Sequence, residues 1–167
     1  MSINCLVVLN KPKTNTLVKL IEKGLKDKFE NYSIECLDSS AKEERSEYLN
    51  SGIKPNDVII GDGNLDNGEY LSNDLLQAIE KNPQAQFILF SADLDRCENF
   101  KEQASNYKNV RIILNDGTLF KNLKEELQEV KNLMSSDIRQ EESFIFSKQG
   151  KKIDKTYGLE NQTLNFR

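Results

Sequence analysis

The sequence predicts an α/β protein built on a doubly wound, five-stranded parallel sheet. Five short apolar runs recur along the 167 residues, and each is followed by a stretch whose apolar residues have helical spacing. The runs are continuously apolar, which is typical of strands covered on both faces. Strict alternation of strand and helix is typical of a sheet with helices on both sides. With right-handed crossovers, five such units favour the strand order 2-1-3-4-5 in a three-layer sandwich.

The five strands are predicted directly from the apolar runs. They are β1 (4–9), β2 (32–37), β3 (57–61), β4 (86–90) and β5 (110–114). In a sheet of this order, ligands bind in the crevice beyond the carboxyl ends of the strands, where the strand order reverses. We therefore expect functional residues in four loops, at 9–16, 62–68, 91–95 and 115–118.

The first two helices are predicted from an apolar stripe and from capping residues. The stripe of α1 consists of Leu17, Leu20, Ile21, Leu25 and Phe29. The second helix, α2, is expected over residues 41–50, because Ser40 and Glu43 have the spacing of a capping box. In that motif the two side chains satisfy backbone N–H groups at the start of the helix.

Three further helices complete the alternation: α3 (70–81), the weakly apolar α4 (95–106), and α5 from Phe120 to Met134 after an N-cap at Thr118. Residues 137–167 do not continue the pattern. We therefore expect an α/β domain over 1–136 and a C-terminal extension over 137–167 that forms a hairpin or a docking tail. From residue 147 onward this extension carries five basic and two acidic side chains.

Composition excludes several classes of function. The 27 acidic and 23 basic residues give a net charge of -4, which favours neither nucleic acid nor an anionic membrane as a partner. The absence of histidine excludes Ser-His-Asp and Cys-His catalysis and histidine metal sites on this chain. No apolar run reaches the roughly 20 residues that a transmembrane helix needs. The first residues lack the basic start of a signal peptide, so we expect a cytoplasmic protein.

The three cysteines are expected to be free thiols. Cys5, Cys36 and Cys97 are an odd number without C-x-x-C spacing. Because Cys5 and Cys36 lie inside apolar runs, we expect both side chains to be buried.

Residues 3–135 resemble the receiver domains of bacterial two-component response regulators in element order and in two segments. Asp62 ends β3 in "VIIGDG", where receivers carry the phospho-accepting aspartate. The segment "ILFSA" (88–92) resembles the end of β4 in that family, which puts Ser91 at the conserved hydroxyl position of receivers. The resemblance implies a signalling module rather than an enzyme. It also implies protein partners, or a homodimer through the face formed by α4, β5 and α5.

The sequence also departs from the receiver pattern. Receivers hold magnesium with an acidic pair after β1, where this chain has Leu9 and Asn10, and they carry a lysine after β5, where this chain has "NDG" at 115–117. Phosphoryl transfer needs such cations, and Asp116 would repel a phosphate. The resemblance therefore implies a pseudo-receiver without metal or cofactor, in which Asp62 is a vestigial acceptor. The vestigial pocket around it would consist of Asn10, Lys11, Asn64, Ser91 and Asp116.

Lys11 and Lys13 allow two interpretations. Either ammonium could reach the crevice and replace the missing cation beside Asp62, or both could face water. The apolar stripe of α5 is longer than one sheet face requires, which favours partner contacts. Alternatively, the basic tail covers this stripe. The candidates for partner contact are Phe120, Leu127, Val130 and Met134.

Two other functions are compatible with the same fold. A flavodoxin-like electron carrier would bind flavin phosphate at the hydroxyl-containing loop 10–16, but this loop has no glycine and Tyr70 is the nearest stacking aromatic. A hydrolase or transferase would use Asp62, Asp66 and Asp116 as magnesium ligands. Neither a nucleophile motif nor a P-loop accompanies these carboxylates.

Overall fold

The structure is a computed structural model that describes residues 2–9, 12, 15–62, 73–91 and 98–135. Five parallel strands form one sheet in the order β2-β1-β3-β4-β5. Their bounds are β1 Ser2–Leu9, β2 Asn31–Asp38, β3 Asp57–Asp62, β4 Gln86–Ser91 and β5 Val110–Leu114. This strand order confirms the predicted doubly wound α/β fold. It is the order found in flavodoxins and receiver domains.

Helices follow the strands as the spacing of apolar residues predicts. They are α1 Thr16–Lys28, α2 Lys42–Glu47, α3 Asn73–Lys81, α4 Glu98–Ala104 and α5 over 119–135. A single π-helical turn, Tyr48–Gly52, follows α2. The chain divides into two compact units, residues 1–128 and 129–167, and the sheet belongs to the first. The expected domain boundary after residue 136 stays a prediction.

The core is built on the three central strands. All six residues of β4 are buried, and on one face of the sheet Leu6, Ile59 and Phe87 pack with Leu75 and Ile79 of α3. Fully burying one such side chain contributes about 1.5–3 kcal/mol of transfer free energy. The continuous apolarity of β1, β3 and β4 therefore has the predicted structural cause.

Strand β2 departs from the expectation of burial on both faces. It lies at the edge of the sheet, and its residues are exposed or half-buried throughout. Cys5 on β1 is buried as expected, but Cys36 on β2 is exposed, so the prediction that both thiols are buried is wrong for Cys36. An edge strand has one neighbouring strand, and this position is a property of the sheet order rather than of the local sequence.

Helix α1 begins and packs through local features of its sequence. Asn15 is its N-cap, and the Leu17 backbone N–H donates to Asn15 Oδ1 at 3.0 Å. Gly24 allows close packing against α5, because a Cβ atom at this position would lie 3.1 Å from Leu127 Cδ1. One turn later, Lys28 Nζ donates to Gln128 Oε1 at 3.2 Å.

The predicted capping box of α2 is wrong. The N-cap is Ala41, without a side-chain hydrogen bond, and the helix begins at Lys42. The Ser40 hydroxyl and backbone N–H instead donate to Asp38 Oδ1, at 2.8 and 3.0 Å. An aspartate two residues upstream offers a competing acceptor, which is the usual geometry of an Asx turn.

A buried asparagine joins three elements at the opposite edge of the sheet. Asn109 precedes β5, is 5% exposed, and its backbone carbonyl accepts from Phe87 N at 2.8 Å. Its Nδ2 donates to the carbonyl oxygens of Ile79, Asn82 and Ala85 at 3.1, 2.9 and 3.1 Å. One side chain thus satisfies carbonyls where α3 ends and β4 begins.

Among the described helices, none has the length and apolarity that crossing a membrane requires.

Candidate functional site

The carboxyl ends of β1, β3 and β4 lie at one edge of the sheet. Asp62 is the last residue of β3 and pairs in register with Phe90, while Ser91 ends β4 and pairs with Leu114. Leu9 ends β1 and is 1% exposed. The fold therefore brings the β-strand positions of the predicted pocket to the same edge. Asn10, Lys11, Lys13 and Asn64 and the side chain of Asp62 lie outside what the structure describes.

Loop backbone groups occupy the strand ends at this edge. The Ser39 N–H donates to the Leu9 carbonyl at 3.0 Å, and the Asn115 N–H donates to the Ser91 carbonyl at 2.8 Å. Ser91 itself is fully buried. The loops after β2 and β5 are thus hydrogen-bonded to the ends of β1 and β4, respectively.

Asp116 follows β5 and forms an Asx turn with Thr118 just before α5. It is exposed, and its Oδ1 accepts from the Thr118 backbone N–H at 2.7 Å and from the Thr118 hydroxyl. The hydroxyl, and then the backbone N–H, hold the pKa of Asp116 below its ordinary value. Helix α5 begins at residue 119, so Thr118 stands at the expected N-cap, but its hydroxyl donates to Asp116. A fixed negative charge therefore occupies the segment where the receiver pattern has a lysine.

A buried arginine lies near the end of β2. The sequence pattern did not predict its burial. Arg45 on α2 is 7% exposed, and its guanidinium donates to the Ser39 carbonyl at 2.6 Å. Ser39 is 1% exposed and is bonded in turn to the end of β1. Charged side chains are rarely buried unless they are paired. The run "AKEERSEYLN" reads as a solvated helix and offers no local signal for this burial.

The α5 residues predicted to contact a partner differ in exposure. Leu127 and Val130 are fully buried and Met134 is 7% exposed, whereas Phe120 is half-buried. Among the described residues, the exposed large apolar side chain is Leu133, at 40%. The predicted stripe is therefore mostly buried, and partner contact through it stays a prediction.

Phe120 lies between two cations. The ammonium groups of Lys23 on α1 and Lys124 on α5 lie 5.3 and 4.8 Å from the centre of its ring. Such contacts contribute about 0.5–1 kcal/mol each at exposed sites. The ring therefore helps to hold α1 and α5 together at this point.

The residues of the predicted magnesium and flavin sites lie mostly outside the described ranges. In the described ranges, no group of three Asp, Glu or Cys side chains could hold a metal ion. Asp66 and Tyr70 lie outside those ranges, as does most of the loop 10–16. The magnesium and flavin alternatives therefore stay predictions.

The similarity of this chain to known proteins is a similarity of fold. No family model matches the chain, and no curated protein matches it. Two similar solved structures are a pilus assembly protein (CpaE) from Burkholderia thailandensis, with a TM-score of 0.49, and a response regulator from Colwellia psychrerythraea, with a TM-score of 0.48. Each is 18% identical to this chain, with 78% of this chain and 98% of the other covered. The strand order of the chain itself gives it a receiver-like fold.

Proposed function

We propose that this chain is a non-enzymatic signalling module that acts by protein–protein contact, without a magnesium-dependent cycle of aspartate phosphorylation. The observation that carries the proposal is the carboxylate of Asp116, which is hydrogen-bonded by Thr118. It accepts two hydrogen bonds from Thr118, and its pKa is lowered, so it is an anion at neutral pH. The segment after β5 would therefore offer a phosphate on Asp62 an anion at residue 116 and no lysine at 115–117.

The end of β1 supports the same proposal. The side chain of Leu9 has no oxygen ligand for a cation, and its carbonyl accepts from the Ser39 N–H at 3.0 Å. Magnesium requires near-octahedral oxygen coordination, and phosphoryl transfer depends on cations that neutralise charge on the transferred group. A phosphoryl group adds about -1.5 to -2 charges at neutral pH. Without these cations, the charge on a phosphorylated Asp62 would have no compensation from β1 or β5.

The proposal is tested with the full chain and a small-molecule phosphodonor. The intact mass and the melting temperature are measured with Mg²⁺ and acetyl phosphate, and separately with Mg²⁺ and beryllofluoride. We expect no phosphate adduct and no change in melting temperature, in the native chain or in Asp62→Ala. An adduct or a stabilising shift that Asp62→Ala abolishes would overturn the proposal.

A gain-of-function variant provides the positive control. Asn10→Asp combined with Asn115→Lys introduces an acidic residue after β1 and a lysine after β5. If the native chain does not respond because these charges are missing, beryllofluoride and Mg²⁺ should raise the melting temperature of this variant more than that of the native chain. A native chain that responds as strongly as this variant would contradict the argument from charge.

A further inference from the structure

A polar recess opens between β1, β2 and the π-helical turn, near the amino end of β3. Its volume is about 90 Å³. The side chains that matter for its chemistry are Asn4, Glu35, Tyr48, Lys54 and Asp57. Asn4 and Asp57 are register partners near the starts of β1 and β3. The recess is therefore distinct from the crevice at the carboxyl ends of the strands.

The π-helical turn builds one wall of this recess. A Cβ atom at Gly52 would lie 2.6 Å from Cδ2 of the Tyr48 ring, so the ring can occupy its place only because residue 52 is glycine. The Tyr48 hydroxyl donates to Asp57 Oδ2 at 3.0 Å. The Lys54 backbone N–H donates to the same oxygen at 2.9 Å. π-Helical turns are rare and occur frequently at functional sites.

One carboxylate oxygen of Asp57 has no hydrogen-bond donor among the described residues. Asp57 is 5% exposed, and both hydrogen bonds of its carboxylate are accepted by Oδ2. Within the described residues, Oδ1 has no donor. Buried polar atoms are normally hydrogen-bonded, because an unsatisfied acceptor loses its hydration without compensation. Because Asp57 lines the recess, a ligand bound there would supply a donor for this oxygen.

The recess also carries a second carboxylate. Glu35 on β2 is exposed, and among the described side chains it has no hydrogen-bond or ion-pair partner. Asn4 uses its Oδ1 to accept from the Ser33 hydroxyl. The two carboxylates outnumber the single ammonium of Lys54, so the recess has a net negative charge. A group with several N–H donors can serve both carboxylates at once.

We propose that this recess binds the protonated amine or guanidinium group of a ligand, held between Glu35 and the free oxygen of Asp57. A magnesium or calcium ion fits less well, because such ions take six or more oxygen ligands. The described residues offer no group of three candidate metal ligands here. The same cationic chemistry is present in a free small amine and in a lysine or arginine side chain of a partner protein.

The test is an amide NMR titration of the ¹⁵N-labelled full chain at constant ionic strength. The probes are agmatine as a free amine, the peptide acetyl-Gly-Arg-Gly-amide as a partner side chain, and magnesium chloride. We expect saturable shifts at the amides of Asn4, Gly52 and Lys54 with at least one of the two organic cations. A response to agmatine alone assigns the site to a free amine. A response to the peptide assigns it to a partner side chain.

Two variants locate the binding. Asp57→Asn keeps one oxygen for Tyr48 and Lys54 but replaces the free acceptor by an N–H donor, so it should weaken binding by about tenfold or more. Because Glu35 is exposed, Glu35→Gln should weaken binding by about two- to fivefold. Glu102→Gln, exposed on α4, is the matched control and should change nothing.

The outcomes that overturn the proposal are specific. They are the absence of saturable shifts, equal affinity in the native chain and in Asp57→Asn, or a stronger response to magnesium than to either organic cation. The amide spectrum and the melting temperature of Asp57→Asn show whether this variant is folded. If it is not folded, the affinities of Glu35→Gln and Glu102→Gln are compared, and equal affinities overturn the proposal. None of these outcomes depends on whether Asp62 accepts a phosphate.

Discussion

Replacing Asn109 with alanine removes the side chain that joins the end of α3 to the starts of β4 and β5. Its Nδ2 donates to the carbonyls of Ile79, Asn82 and Ala85, at 2.9–3.1 Å. An amide group has two N–H donors, so the variant loses about two hydrogen bonds. Each contributes about 1 kcal/mol net, and a buried carbonyl left without a donor costs about 1–3 kcal/mol more.

The expected loss is therefore about 3 kcal/mol in the free energy of unfolding, which corresponds to a fall of about 6–12 °C in melting temperature for a chain of this length. Urea unfolding followed by circular dichroism measures the free energy. Asn106→Ala is the matched control, because Asn106 is exposed and its Nδ2 makes one bond, to the Gln103 carbonyl at 3.3 Å. Its expected effect is within about 0.5 kcal/mol.

The comparison between the two asparagines can refute this reasoning. If Asn109→Ala costs no more than Asn106→Ala, the hydrogen bonds of Asn109 Nδ2 are not a net source of stability. Asn109→Asp preserves the shape of the side chain but turns an oxygen toward the three carbonyls. It should therefore be at least as destabilising as alanine at neutral pH, and a milder effect would contradict the assigned geometry.

Two further predictions concern α5. The pKa of Asp116 is lowered by its hydrogen bonds from Thr118, so these bonds should stabilise the fold above the ordinary pKa of aspartate, and this contribution should be lost as the pH falls through the lowered value. In an NMR titration, Thr118→Val should raise the pKa of Asp116 toward its ordinary value, and an unchanged pKa would show that the hydroxyl is not its main cause. Leu133→Ser should reduce self-association in sedimentation velocity if α5 contacts a second copy, with Lys131→Ser as the exposed control. Equal sedimentation of both variants and the native chain would argue against α5 as a dimer contact.

The central strands could be predicted because the apolar run that forms each strand is a local feature of the sequence. Val58, Ile59 and Ile60 are fully buried, and a continuous apolar run is what burial on both faces requires. The edge position of β2 could not be read from such a run, because it depends on which strand pairs with which. The exposure of Cys36 follows from that position. It contradicts an expectation based on apolar neighbours alone.

The details around the candidate site had non-local or competing causes. Ser40 has the spacing of a cap, but Asp38 offers a closer acceptor. The bonds of Asn109 cross 24 to 30 residues of sequence, so no local pattern indicates them. The recess depends on a π-helical turn within a segment predicted as regular α-helix. By contrast, the charge of Asp116 was predictable, since Thr118 follows it at the distance of a local turn.

The exposed edge of β2 has a consequence for self-assembly. Its eight residues present backbone N–H and C=O groups that a strand from another molecule could pair with. In a two-fold antiparallel pairing centred on Glu35, the Glu35 side chains of the two copies would lie directly opposite each other on the same face. Like charges in such cross-strand positions are destabilising. In this register the carboxylate that lines the recess therefore disfavours pairing of two copies through β2.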